Sequence, residues 1–171
     1  RQQEYIGLIE NAGRTLNTLV NDVLDYAKLE AGKLELEQSP FDPAALLIDC
    51  AHMFSLPASD NGDLVLVDAD ADIPAQLRGD APRLRQVLTN LLSNAIKFTR
   101  HGWIRVGARC LEQRDGRAMI EFTVSDSGIG MNREEQRRLF QNFSQASASV
   151  AQRFGGTGLG LSISQELVRL M

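Results

Sequence analysis

The chain of 171 residues is short of several things, and each shortage excludes something. It has only two cysteines, Cys50 and Cys110, far apart and each inside an apolar-patterned segment. Neither has a second cysteine or a histidine at metal-ligand spacing, so a disulfide framework and a zinc site are excluded and a reducing, cytoplasmic setting is expected. Long apolar runs are missing too. Stretches such as Ala44 to Ile48 and Leu64 to Val67 are the longest, against the roughly 20 residues that a membrane span needs. No basic leader precedes an apolar stretch and a small-residue cleavage site, so no membrane contact by this piece is expected. Positive charge is in deficit, with 18 Lys and Arg against 22 Asp and Glu and a net charge of −4. A general nucleic-acid binder needs a dense Lys/Arg surface to displace counterions, so nucleic acid is excluded as a partner. What remains is 43% apolar and 23% charged residues, enough for a packed core and about one compact domain with a small extra piece. The first residue is Arg1 rather than methionine, and a fragment is expected.

The first thirty residues carry a seam. Tyr5, Ile9, Ala12, Leu16, Leu19, Val23 and Tyr26 recur at alternating spacings of four and three, the heptad rhythm of helices packed side by side. A second row, Val20, Leu24 and Ala27, widens the stripe to what a helix bundle buries. Such a helix, about 45 Å long, needs partner helices, although it could instead lie on its own domain. Around Gly32 the period changes: Leu34 and Leu36 alternate with charged neighbours, which predicts a short strand closed by Ser39-Pro40. A domain boundary follows, with residues 1–32 as a bundle helix and 33–171 as the main domain. Asp42-Pro43 then opens a helix, Asp42 as N-cap and Pro43 at the first helical position, with Phe41 stapled onto Leu46. Beyond it the pattern predicts a strand from Leu64 to Asp68, a helix capped by Asp80, and strands from Trp103 to Leu111 and Ala118 to Ser125. The Arg114-Asp115-Gly116 turn joins the last two as a hairpin. A glycine loop, a short polar helix, a long loop and a final helix from Ser162 to Met171 complete the order. The class is α+β, a sheet covered on one face by helices.

Three stretches could carry chemistry. On the helix after Asp80, Leu84, Val87, Leu88, Leu91, Ala95 and Ile96 form the buried stripe, while Asn90, Asn94 and Lys97 fall on another face. Amide oxygens are hard ligands for Mg²⁺ and an ammonium one turn away can hold phosphate, yet a polar helix face is by default only a solvated one. Asp126-Ser127-Gly128-Ile129-Gly130 follows a strand directly. Its glycines allow positive φ and close backbone approach, and its aspartate could accept a hydrogen bond from an exocyclic amine such as that of adenine; a plain Asp-Gly turn is the alternative. Gly155-Gly156-Thr157-Gly158-Leu159-Gly160-Leu161 runs into the final helix, where unpaired amides and the positive end of the helix dipole can cradle phosphates. Its spacing is neither that of the P-loop nor that of the Rossmann turn.

In this order on one α+β unit, the three stretches resemble the N, G1 and G2 boxes of the GHKL nucleotide-binding superfamily, and Leu139-Phe140-Gln141-Asn142-Phe143 resembles the F box that opens its nucleotide lid. The nearest likeness is to sensor histidine kinases, particularly the hybrid type, carried by residues 80–99 and 123–163. The first helix with Leu29-Glu30-Ala31-Gly32-Lys33-Leu34 looks like the second helix of their dimerisation and phosphotransfer domain. The resemblance implies a two-layer α/β sandwich of the Bergerat type, a mixed sheet covered by helices. It implies ATP and Mg²⁺ as cofactors, with Asn94 holding the metal, Asn90 assisting and Lys97 on phosphates. Asp126 would read the adenine amine, with Gly128 and Gly130 shaping its pocket. Gly156, Thr157, Gly158, Leu159 and Gly160 would wrap the triphosphate, with Arg153 in the lid. Partners would be a second copy, or a related chain, through helix 1–32, and the receiver domain of a response regulator. The setting would be the cytoplasmic region of a membrane-anchored bacterial sensor.

The chain departs from that pattern in three places. Its histidines, His52 on a helix and His101 in a turn beside Gly102, lie outside the context of a phosphoaccepting site, so the acceptor is expected before Arg1. His52 reads as a core or edge histidine and His101 as a loop residue. In the lid, Gln152-Arg153 stands where relatives carry a basic pair. The chain also stops at Met171, before the final hairpin expected of a complete catalytic domain. Position 90 matters for the chemistry: hydrolysing relatives place a glutamate there to activate water, and Asn90 cannot act as a base. The reading is therefore transfer of the γ-phosphoryl of Mg-ATP to a histidine outside the chain and onward to a receiver aspartate. The alternative is a non-catalytic module that docks on a partner kinase through the helical seam.

Overall fold

The structure is a computed structural model that describes residues 2–138 and 158–171. The chain divides into two compact units, Arg1–Glu35 with Arg137–Glu166, and Leu36–Gln136 with Leu167–Met171. In the first unit, helix α1 runs Gln2–Glu30. Tyr5, Leu16, Val20, Val23 and Leu24 of its apolar rows all stand exposed. Gly32, at φ +62, ends the segment after α1, where its amide and that of Lys33 reach back to the carbonyls of Leu29 and Lys28.

The second unit is built from strands β1 (Ser39–Phe41), β2 (Leu64–Ala69), β3 (Leu77–Gly79), β4 (Trp103–Arg114) and β5 (Arg117–Asp126), with helices α2 (Pro43–Asp60) and α3 (Ala81–Phe98); helix α4 (Arg133–Arg138) begins in it and ends in the first. Helix α5 (Gly160–Leu170) begins in the first unit and ends in the second. Strands β1 and β3 form an antiparallel pair, and β2, β4 and β5 a mixed sheet in which β4 is parallel to β2 and antiparallel to β5. The expected α+β class with a mixed sheet and helices is the one observed.

Local signals explain most of these elements. Asp42 caps α2 by accepting from the Ala45 amide at 3.0 Å, with Pro43 at the first position where no amide hydrogen is missed. Asp115 and Gly116 both have positive φ, 52° and 72°, as a two-residue hairpin turn whose twist matches the strands requires. Asn132 starts α4 by accepting from the Glu134 and Glu135 amides while the Glu135 carboxylate accepts from the Asn132 amide, a reciprocal capping box.

Three expectations need correction. Residues 33–38 form no strand; the ladder starts at Ser39 and carries Pro40 in its middle, opposite Arg78. The cause is Asp80: one carboxylate oxygen caps α3 through the Arg83 amide at 2.9 Å, and the other accepts from the Glu37 amide at 3.0 Å. That bond ties the segment down without a strand partner, and Pro40 is tolerated because a two-stranded ribbon leaves an outer edge. The partner strand Leu77–Gly79 was not expected at all. In α3, Leu92 is fully buried and Leu91 only partly so. The helix packs on both α2 and the sheet, which widens its buried arc beyond a single stripe. The final helix also starts earlier than expected, at Gly160.

The core lies between α2, α3 and one face of the sheet, where Leu47, Leu88, Leu92, Ile104 and Val106 are essentially inaccessible. Cys50 belongs to it, and burial pushes its thiol pKa up, so it is an inert packing residue. His52 stands on the exposed side of α2. Leu88→Ala, which empties a site of 1% exposure, should lower unfolding free energy by about 2–5 kcal/mol. Leu111→Ala, at 51% exposure, should change it by less than about 0.5 kcal/mol. Urea titration checks both, and equal effects would contradict this placement of the core.

Candidate functional site

Helix α3 presents Asn90, Asn94 and Lys97 at spacings of four and three, so at 3.6 residues per turn they span about 60° of its circumference. All three are half-buried at the margin of the buried arc. The Lys97 ammonium lies 5.1 Å from the centroid of the Phe98 ring, and burial holds its pKa below the ordinary lysine value.

Strand alternation places Asp126 on the same side. In the β4–β5 ladder, Phe122 stands opposite Ala108, Val124 opposite Val106 and Asp126 opposite Ile104. Those residues line the helix-covered face, so Asp126 is the last member of their row, at the strand end where the row leaves the core. One oxygen of its carboxylate accepts from the Gly128 amide at 2.9 Å, and the carboxylate stays exposed.

The loop after Asp126 is docked on the end of α3. The Ile129 amide donates to the Phe98 carbonyl at 3.3 Å. Gly128 fits only because it has no side chain: a Cβ there would lie 2.3 Å from the Phe98 carbonyl oxygen and 2.9 Å from Asp126 Oδ1. Gly130 answers a different need, a φ of +65° in open space. The two glycines thus divide the roles of close approach and positive φ between them. Lys97, Phe98, Asp126 and Gly128 are in this way brought to one end of one helix.

That helix end has no glycine cap. Thr99, its C-cap, is extended, and the last carbonyls are satisfied from elsewhere. Asn61 and Arg100 donate to the Ile96 carbonyl, Arg100 donates to that of Thr99, and the loop amide takes that of Phe98. The turn after α3 is pinned in its own right: the buried Asp63 carboxylate accepts from the Gly102 amide at 2.9 Å, and the His101 amide donates to the Asn61 carbonyl. His101 is a turn residue, as expected, at φ 52°. The residues Asn61, Asp63 and Ser127 were not expected to matter. Asn and Ser are common in any turn, and the contacts that give these their weight are long-range.

Of the glycine-rich stretch before the last helix, Gly158 has φ +69° and Gly160 is the first residue of α5. Leu159 is buried, and its carbonyl accepts from the Ile163 amide and the Ser162 hydroxyl, each at 2.9 Å. These residues belong to the first unit. Arg153, Gly156, Thr157, Gln152 and the Leu139 to Phe143 stretch lie outside the described residues. Among the described residues no cluster of three His, Cys, Asp or Glu could hold a metal ion, and no helix is long and apolar enough to cross a membrane.

Fold and site together have the form of a nucleotide-binding α+β domain. Over residues 79–171, more than half of its length, the chain matches the histidine kinase-, DNA gyrase B- and HSP90-like ATPase family, and it belongs to that family. Among similar proteins, the sensor protein GacS of Pseudomonas syringae pv. syringae is 45% identical over 172 residues, which take in the whole chain and 19% of GacS. The signal transduction histidine-protein kinase BarA of Escherichia coli K12 is 41% identical over 99% of the chain and 18% of BarA. The chain thus spans about a fifth of these relatives. Among solved structures, full-length ShkA in complex with AMPPNP superposes with a TM-score of 0.80 at 34% identity, over 99% of this chain and 34% of ShkA.

The docked loop makes a direct comparison available. Gly128→Ala should drive the loop off Phe98 and destabilise the unit by well over the ~1–2 kcal/mol that its left-handed φ imposes on Gly130→Ala. Urea titration of the two variants checks the order; the reverse order would mean the loop does not rest on α3.

Proposed function

We propose that this chain is the ATP-binding catalytic region of a two-component sensor histidine kinase, passing the γ-phosphoryl of Mg-ATP to a histidine outside residues 1–171 and onward to a receiver aspartate. The observation that carries the reading is the docking of the Asp126 loop on the end of α3, which sets an exposed carboxylate at the helix end that carries Lys97. In this reading Asp126 accepts a hydrogen bond from the exocyclic amine of adenine, Gly128 and Gly130 shape its pocket, and Lys97 meets phosphate oxygens. Gly156, Thr157, Gly158, Leu159 and Gly160 enclose the triphosphate, and Arg153 reaches it from the lid. The bound AMPPNP of ShkA, similar over nearly the whole chain, supports a nucleotide as ligand.

The residues of α3 fit Mg²⁺. Asn94 and Asn90 offer neutral amide oxygens, which suits a metal that takes most of its charge compensation from phosphates and keeps several waters. Bound there, Mg²⁺ supplies charge neutralisation on the transferring phosphoryl group. Position 90 favours transfer over hydrolysis, because an amide cannot take a proton from attacking water. Residues 1–32 act in this reading as the second helix of a dimerisation and phosphotransfer bundle, pairing with a second copy or a related chain through the exposed Leu16, Val20, Val23 and Leu24. Residues 33–171 belong in this reading to the catalytic domain, in the cytoplasmic part of a membrane-anchored bacterial sensor. A second reading, a non-catalytic module docking on a partner kinase through the same seam, is favoured by Gln152, which thins the positive charge of the lid.

Calorimetry with Mg-ADP separates the two. Micromolar binding to the wild type, weakened at least about tenfold in Asp126→Asn by loss of a charged acceptor, supports a working pocket; no heat in the wild type supports the docking module. The pH dependence is a further check. Burial lowers the Lys97 pKa, and a phosphate beside the ammonium raises it again, so nucleotide binding takes up a proton at alkaline pH. Affinity should fall as pH rises through the lowered pKa, below the range of an ordinary lysine, and Lys97→Met should flatten that part of the profile. A profile unchanged in Lys97→Met would remove Lys97 from the site.

A further inference from the structure

We propose that Ser127 is a positioning residue for the nucleotide site: its hydroxyl ends the β4–β5 ladder and so sets the direction in which the Asp126 loop leaves the sheet. The inference rests on the nucleotide-binding reading for its functional side, and on hydrogen-bond geometry for the rest.

The β4–β5 ladder ends at the Ile104 and Asp126 pair, and Trp103 and Ser127 stand one step past it. In an ordinary hydrogen-bonded antiparallel pair each residue donates its amide to the other's carbonyl. Here only one half of that exchange is made by the backbone, the Ser127 amide donating to the Trp103 carbonyl at 3.0 Å. In the other half the Trp103 amide donates to the Ser127 hydroxyl oxygen at 2.8 Å. The hydroxyl in turn donates to the Trp103 carbonyl at 3.3 Å. The side chain therefore stands in for the Ser127 carbonyl, which leaves the backbone free to turn away from β4 within one residue. That turn is what carries Gly128 over the Phe98 carbonyl and lets the Ile129 amide reach it.

The seat for the hydroxyl is made to measure. A Cβ on Gly102 would lie 2.3 Å from Ser127 Oγ and 2.9 Å from Thr99 Cγ2, so this turn accepts the serine only because position 102 has no side chain. Gly102 is itself fixed by the Asp63 carboxylate. Without the hydroxyl the Ser127 carbonyl is free to swing in and take the Trp103 amide. That swing extends the ladder by a rung and lifts Gly128 and Ile129 off α3. Asp126, whose carboxylate is oriented by the Gly128 amide, then loses its aim.

Hydrogen exchange on the free chain tests the geometry, and nucleotide affinity tests the function. In Ser127→Ala the Ile129 and Gly128 amides should exchange at least about tenfold faster than in the wild type, while core strand amides such as Val106 keep their protection. Ser127→Thr, which keeps the hydroxyl, should restore it. Mg-ADP affinity should fall about tenfold in Ser127→Ala and recover in Ser127→Thr. Unchanged protection at Ile129 and Gly128 in Ser127→Ala overturns the proposal, and so does lost protection with unchanged affinity. If the wild type binds no nucleotide, the catalytic reading fails, and with it the functional half of this proposal, while exchange at Ile129 still decides the geometric half.

Discussion

The whole site hangs on how helix α3 ends. A helix leaves its last carbonyls without internal partners, and a glycine beyond the end is the usual local remedy. Helix α3 has instead an extended Thr99, and three separate segments supply the missing donors: Asn61 from the α2–β2 connection, Arg100 from the following turn, and Ile129 from the loop after β5. The capping is tertiary, so the helix end and the loop depend on each other. The Phe98 carbonyl accepts from the Ile129 amide when the loop is in place, and the loop finds that place only because Gly128 can lie against the carbonyl.

This dependence reconciles an acidic protein with a polyanionic ligand. The net charge of −4 repels a triphosphate at long range, and the negative end of a helix dipole does nothing to help locally. The proposed answer is local. Lys97 sits in the last turn of α3, where its charge also complements the dipole. In the proposed site, Asn90 and Asn94 would offer amide oxygens to a metal without adding negative charge. In the proposed function, a glutamate at position 90 would supply a base and favour water as acceptor, whereas an asparagine would leave the phosphoryl group for an imidazole held elsewhere.

Much of this was legible in the sequence wherever a residue acts through its own neighbours. Asp42-Pro43, the Asp80 cap, the Asp115-Gly116 turn and the 3.6-residue rhythm of α3 need nothing beyond a few residues on either side, and each is where the pattern put it. What was not legible depends on distant partners. Leu34 and Leu36 alternate like a strand, but Asp80, forty-three residues from Glu37, claims the amide there. Leu77–Gly79 is too short to announce itself, and exists as a strand only because Ser39–Phe41 lies beside it. Leu92 is buried because α3 is covered from two sides. At the site, the sequence pointed to Gly128 and Gly130 as a pair, and only the geometry separates a glycine needed for contact from one needed for φ. Ser127, between Asp126 and Gly128, carries no sequence signal that sets it apart from any turn serine.

The most direct test of the account is a two-dimensional NMR titration of the chain with Mg-AMPPNP, which reads every amide at once. The account expects the largest shifts at the Gly128, Ile129 and Gly130 amides and at the side-chain amides of Asn90 and Asn94, with the hairpin turn at Asp115 and Gly116 silent. Shifts absent from the loop and from α3, or confined to the exposed rows of α1, would contradict it.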